Sequence, residues 1–272
     1  MKMLMNQVGK IRDEALDGFA LAHAETVEVG AEREYVRRRQ VKPGKVALIS
    51  GGGAGHEPLH IGFVGHGMLD AACPGQIFTS PNPNQMLNAA KAVDGGAGIL
   101  FIVKNYPGDM LKFEMAAEML ELDNAMVIVN DDVALEDSPH TNGRRGVAER
   151  CYTLEQLKEL GDAVNKNTAS MGVALTSCTV PAAGKPTFHI RESDMEIGVG
   201  IHGEPGRRRV PLASADAIAN ELVGAVIKDL SLTTGQEVIL LVNGFGGTPL
   251  QELYLMVNAA RKVLERSGIK AV

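Results

Sequence analysis

Along the chain, short runs of apolar residues alternate with longer amphipathic stretches, and nearly every apolar run stops at a polar, turn-forming segment. Lys45-Val-Ala-Leu-Ile-Ser50, Ile99-Leu-Phe-Ile-Val103 and Ala125-Met-Val-Ile-Val129 have the length and continuity of buried strands. They run into Gly51–Gly55, Lys104-Asn-Tyr-Pro-Gly-Asp109 and Asn130-Asp-Asp132. Between them the apolar residues fall at helical spacing. Val8, Ile11, Ala15, Leu16 and Phe19 place a helix over 6–23, and the pattern continues over 81–93 and 110–122. Strands alternating with helices argue for an α/β protein with a largely parallel sheet covered by helices. In such sheets ligands gather where strands end, so His56, Lys104, Asp109 and Asp131 are candidates for one rim. Tyr35-Val36 has edge-strand character within the charged stretch 28–41.

Over 143–169 the chain reads as polar and helical, with a domain boundary loosely placed there, and then the strand pattern restarts. Met171–Leu175, Met195–Ile201 and Val238–Val242 read as strands, and Ile269–Val272 begins another. Ser214 is a plausible N-cap for a helix over 214–230, where Ile218, Leu222, Val226 and Leu230 repeat every four residues. Thr248-Pro-Leu-Gln251 spells a capping box opening a helix that ends near Gly268. The expected organisation is two α/β lobes, 1–168 and 169–272, each with a largely parallel or mixed sheet flanked by helices.

Composition narrows the function. With 272 residues, 45% of them hydrophobic, and 31 glycines, the chain suits a globular enzyme rich in turns. A net charge of −6 argues against nucleic-acid binding. Its three cysteines, Cys73, Cys151 and Cys178, form no CxxC and no disulfide framework, which fits reduced thiols and a cytoplasmic setting. The start carries no secretory signal, and no apolar run approaches the ~20 residues of a membrane span.

Residues 45–75 concentrate the candidate chemistry. The glycines admit turns and close approaches that a Cβ would forbid, yet neither a P-loop nor a dinucleotide fingerprint is completed: Gly55-His56-Glu57 stands where each template needs something else. The local pattern fits a ligand loop and a tight structural turn equally. Of the seven histidines, His56 and His202 stand out, each following an expected strand in a glycine-containing loop. His56-Glu-Pro-Leu-His60 spells HExxH, but Pro58 and the preceding glycines oppose the helix that a zinc protease needs. Asp109 has an alternative reading as a helix N-cap, Lys104 as a surface lysine, and Asp131 and Asp132 as turn residues.

The motifs SGGGAGHEPLHIGFVGHGML, ACPGQIFTSP, KNYPGD, DDVA, GRRGVA, CTVPAAGKP and GVGIHGEPG, in this order over nearly the whole chain, resemble the substrate-binding subunit of the dihydroxyacetone kinase family. The resemblance implies that His202 captures dihydroxyacetone as a covalent hemiaminal. It implies that His56 is the general base for the terminal hydroxyl, that Asp109 hydrogen-bonds and helps activate that hydroxyl, and that Gly53, Ala54, Gly55 and Lys104 also contact substrate. The chain itself is expected to hold no metal or cofactor. ADP or ATP with magnesium is expected on a separate helical nucleotide-binding subunit, in some bacterial systems recharged through a phosphoenolpyruvate phosphotransferase chain, and the subunit is expected to be a homodimer. By this resemblance the family pattern continues several dozen residues beyond Val272, so the second lobe is expected to be short by comparison, and the family pattern is also longer after Ala148. Some relatives keep the capturing histidine but serve as sensors for a transcription regulator, the alternative to the kinase reading.

Overall fold

The structure, a computed structural model, describes residues 4–133, 152–177, 179–186, 188–199, 206, 208–245 and 247–272. These group into two compact units: one comprising the chain up to Asn130 with 152–166 and 179–185, the other 131–133, 167–177 and the described residues from 186 on.

The first unit is built on a six-stranded sheet with spatial order β1 (Val27–Val29), β2 (Val36–Arg38), β4 (Ala71–Ile77), β3 (Ala47–Ala54), β5 (Ile99–Lys104) and β6 (Asn124–Val129). β3 runs parallel to both β4 and β5, and β5 to β6. β1 and β2 form the antiparallel edge that the charged stretch suggested. The period-two alternation of strand side chains sorts the apolar runs between two faces. Ala47, Ile49, Ile99, Phe101 and Val103 pack with α2 (Pro83–Val93) and α3 (Pro107–Met119). Val46, Leu48, Leu100, Ile102 and Val127 pack with Leu16 of α1 (Ile11–Ala22), Leu157 of α4 (Leu154–Lys166), and Ile61, Val64 and Leu69. Coverage on both faces is why β3 and β5 read as continuous apolar runs.

Two features of this unit depart from the sequence reading. β3 does not stop at Ser50; it continues through Gly51, Gly52 and Gly53 to Ala54, all buried. It does so because β4, a strand the apolar pattern did not reveal, pairs with it along Cys73-Pro-Gly75. The glycines are therefore mostly strand, and the turn begins only at Gly55.

At the amino end of these strands, Asp70 gathers three partners. Its carboxylate accepts from Lys45 Nζ at 2.5 Å, Leu48 N at 2.8 Å and Arg38 Nη1 at 3.2 Å. Asp70 and Lys45 are both buried.

The second unit has an antiparallel sheet of β7 (Val173–Ala174), β8 (Asp194–Ile197) and β9 (Arg208–Pro211), and a parallel pair, β10 (Glu237–Val238) with β11 (Lys270–Ala271). Met195 and Ile197 bury against Ile218 of α5 (Ala215–Asp229), whose Ala219 packs on Ala259 and Val263 of α6 (Leu250–Arg266). Ser214 caps α5, accepting from Ala217 N at 3.3 Å. The capping box expected at Thr248 is absent: Pro249 occupies the N-cap without a side-chain bond. The strand expected over 238–242 is limited to β10, and beyond it Ile239 is 87% exposed. The first unit is thus a mixed sheet flanked by helices, and the second combines an antiparallel sheet and a separate parallel pair with helices. No helix among the described residues is long and apolar enough to cross a membrane.

Candidate active site

The connection leaving β3 passes over the α1/α4 face of the sheet, where Ile61, Val64 and Leu69 bury. The connection leaving β5 is α3, on the opposite face. The crevice between the carboxyl ends of β3 and β5 is therefore the topological switch point of the sheet, the place where α/β proteins receive ligands.

Lys104 is the last residue of β5, and Asp109 stands in the first turn of α3. Lys104 Nζ lies 3.2 Å from Asp109 Oδ2, and both side chains are 1% exposed. Lys104 is thus not the surface lysine of the alternative reading. Nor is Asp109 an N-cap: that position is Tyr106, and Asp109 sits three residues inside the helix. There the positive end of the helix dipole favours its negative charge. A buried ion pair is weak evidence for stability, because desolvation offsets attraction. Its place at a ligand-receiving crevice points to chemistry instead. Among the described residues, neither Asp109 oxygen accepts a hydrogen bond.

The end of β3 is shaped by close approach. A Cβ on Gly53 would stand 2.5 Å from Thr79 N and 2.7 Å from the carbonyl carbon of Phe78, so only glycine lets the segment after β4 close on it. Ala54 O accepts from Phe78 N at 2.9 Å, and Gly55 N donates to Glu57 Oε1 at 3.2 Å. His56 is half-buried, its ring 4.6 Å from that of Phe78. Gly53, Ala54, Gly55 and His56 thus lie at the carboxyl end of β3, with Lys104 and Asp109 at the carboxyl end of its neighbour β5.

Two side chains that the sequence reading gave no part here also face this end. Ser50 Oγ lies 2.9 Å from His60 Nδ1 and 2.7 Å from Ile102 O, and a Cβ on Gly52 would stand 2.7 Å from His60 Nε2 and 2.6 Å from Lys104 Nζ. Residues 56–60 form no helix, so His56 and His60 do not present the paired helical face of a zinc protease. The available signal was Ser50 itself, a hydroxyl in an otherwise apolar buried run.

Asp131 is buried beyond β6, its carbonyl accepting from Ser170 N at 2.6 Å in the second unit. Cys73 is a free thiol whose burial pushes its pKa up, which removes it as a nucleophile. His202 lies outside the described residues. In the chain it falls between β8 and β9, whose ends Glu196 ties together by accepting from Gly206 N at 2.9 Å and Arg209 Nη2 at 2.8 Å.

An ammonium, a carboxylate and imidazoles at the switch point of a parallel sheet define an α/β protein suited to hold a small polar molecule and move a proton on it. The Dak1 domain model matches residues 17–272. The chain is 42% identical to the dihydroxyacetone-binding subunit DhaK of a PTS-dependent dihydroxyacetone kinase from Listeria innocua, over 99% of this chain and 87% of that protein. It is 44% identical to the corresponding subunit from Lactococcus lactis, over 98% of this chain and 85% of that one. The crystal structure of the dihydroxyacetone kinase of C. freundii superposes with a TM-score of 0.90 at 34% identity, covering 98% of this chain and 52% of that one. The dihydroxyacetone kinase operon co-activator Dha-DhaQ superposes with a TM-score of 0.88 at 28% identity, covering 98% of this chain and 86% of that one. The chain belongs to the Dak1 domain family, as its motifs implied.

Proposed function

We propose that this chain is the dihydroxyacetone-binding subunit of a cytoplasmic dihydroxyacetone kinase, acting as a homodimer with a nucleotide-bearing partner subunit. The observation that carries the reading is the buried Lys104–Asp109 pair at the carboxyl end of β5, beside the glycine end of β3.

A neutral imidazole nitrogen of His202 adds to the ketone carbon. The carbonyl oxygen becomes a hydroxyl as the ring N–H proton is given up, leaving a hemiaminal. Tethering suits a substrate with little apolar surface to bury, and it replaces translational freedom with orientation. It also excludes glycerol, which has no carbonyl to attack. Lys104 donates to a substrate oxygen, and the backbone at Gly53, Ala54 and Gly55 receives the small molecule where side chains would not fit. His56 accepts the proton of the terminal hydroxyl, with Asp109 aligning that hydroxyl and sharing its activation. The alkoxide oxygen then takes the terminal phosphoryl group of ATP, held with magnesium on the partner, giving dihydroxyacetone phosphate and ADP. In systems driven by a phosphoenolpyruvate phosphotransferase chain, that chain restores the partner's nucleotide.

The rival reading is a ligand sensor for a transcription regulator, which needs capture but not proton removal. Both are tested by mixing the chain with a DhaL-type nucleotide subunit, ATP, magnesium and dihydroxyacetone. The expected result is product formation, falling about 10²- to 10⁴-fold in Asp109→Asn, while electron density still shows the adduct on His202. Capture without turnover by the unsubstituted chain, with either ATP or a phosphotransferase chain as donor, would favour the sensor; no capture at all would overturn both.

A further inference from the structure

The hydrogen bonds around Ser50 fix more than its own position. Its hydroxyl has one proton and two neighbours, Ile102 O at 2.7 Å and His60 Nδ1 at 2.9 Å, and all three residues are buried. A carbonyl oxygen can only accept, so the serine proton goes to Ile102 O. Oγ must then accept from His60, and the proton lies on Nδ1. In a neutral ring this leaves a lone pair on Nε2.

Nε2 stands near a charged neighbour. The position a Cβ would take on Gly52 is 2.7 Å from His60 Nε2 and 2.6 Å from Lys104 Nζ, so both nitrogens crowd the same point on β3. An N–H on Nε2 would oppose the N–H groups of the ammonium, and an imidazolium there would set two positive charges together where little water screens them. A neutral ring with its lone pair on Nε2 is the form that suits a buried ammonium. The same ammonium lies 3.2 Å from Asp109 Oδ2.

We propose that Ser50 holds His60 in the neutral Nδ1–H form, and that the Nε2 lone pair positions the Lys104 ammonium against Asp109. His60 is then a positioning residue. It acts on substrate through Lys104, whose ammonium stands near both His60 Nε2 and Asp109 Oδ2. The effect on turnover rests on the function proposed above; the protonation pattern of His60 does not.

The protonation pattern is read first, by multiple-bond 1H–15N correlation on histidine-labelled protein without substrate, with His60→Asn identifying the resonance. The expected result is a protonated, pyrrole-type Nδ1 and an unprotonated Nε2. A protonated Nε2 in the unsubstituted protein overturns the proposal. Ser50→Ala removes the acceptor that selects the tautomer, and is expected to shift the ring toward the Nε2–H form; Ser50→Thr keeps a hydroxyl and restores the original pattern. In the reconstituted kinase, Ser50→Ala should lower kcat by about 10- to 100-fold, the scale of an ångström-sized misplacement, with KM nearly unchanged and the His202 adduct still formed. Rescue by Ser50→Thr supports positioning. Unchanged kcat in Ser50→Ala overturns it. If the unsubstituted protein gives no turnover, the proposed function fails instead, and the NMR pattern alone decides the role of Ser50 and His60.

Discussion

Gly53 shows how tightly a single position can constrain this site. Its missing Cβ would meet backbone atoms of Phe78 and Thr79, which cannot swing aside as a side chain end could. Gly53→Ala should therefore separate the end of β3 from the segment after β4, lowering stability by about 1–3 kcal/mol and weakening substrate capture; thermal unfolding and calorimetric titration with dihydroxyacetone would measure both. The sequence marked this residue as special but for an incomplete reason. A run of glycines after an apolar strand reads as a loop, because the partner that demands the close approach, β4, is hidden in Ala71–Ile77, where proline and glycine mask strand character. Lys104 was similarly ambiguous. One lysine between a strand and a proline turn resembles a solvated surface residue, and what buries it comes from Gly52 and His60, some fifty residues earlier in the chain, and from α3.

At the level of elements, the apolar runs placed β3, β5, β6 and α1–α3 correctly to within a few residues, because strands covered on both faces must be apolar along their length. The second unit was harder to read. Its β7, β8 and β10 are two to four residues long, too short for a period to declare itself, and Val238–Val242 has the composition of a strand with only its first residue paired. What organises β8 and β9 is polar. Arg209, and then the amide of Gly206, hold the Glu196 carboxyl below the usual glutamate range against the opposing effect of burial. Asp194 is lowered likewise by Arg191 and Ser193. Both groups bind protons more weakly folded than unfolded, so they stabilise the fold above the ordinary carboxylate range, about pH 4, and that contribution is lost as pH falls through their depressed folded values. Melting temperature measured against pH should drop at the acid end, and Glu196→Gln should flatten part of that drop while lowering stability at neutral pH.

Over the whole molecule, the sequence pattern suggested two lobes in succession, whereas contacts assign 131–133 to the second unit and 179–185 to the first. Periodicity cannot show such exchanges, since it reports only local structure. The Asp70 cluster has a consequence at this scale. β3, eight residues long, begins where a buried carboxylate joins Lys45, Leu48 and Arg38, and finishes among the groups that face the crevice. Asp70→Asn leaves the buried Lys45 cation unneutralised and should cost about 3–5 kcal/mol, seen in denaturant unfolding, while the KM for dihydroxyacetone stays near that of the unsubstituted protein. One strand thus keeps cohesion and reactivity at opposite tips, so inherited variation at its head would surface as scarce protein in the cell, and variation at its tail as plentiful protein that does no work.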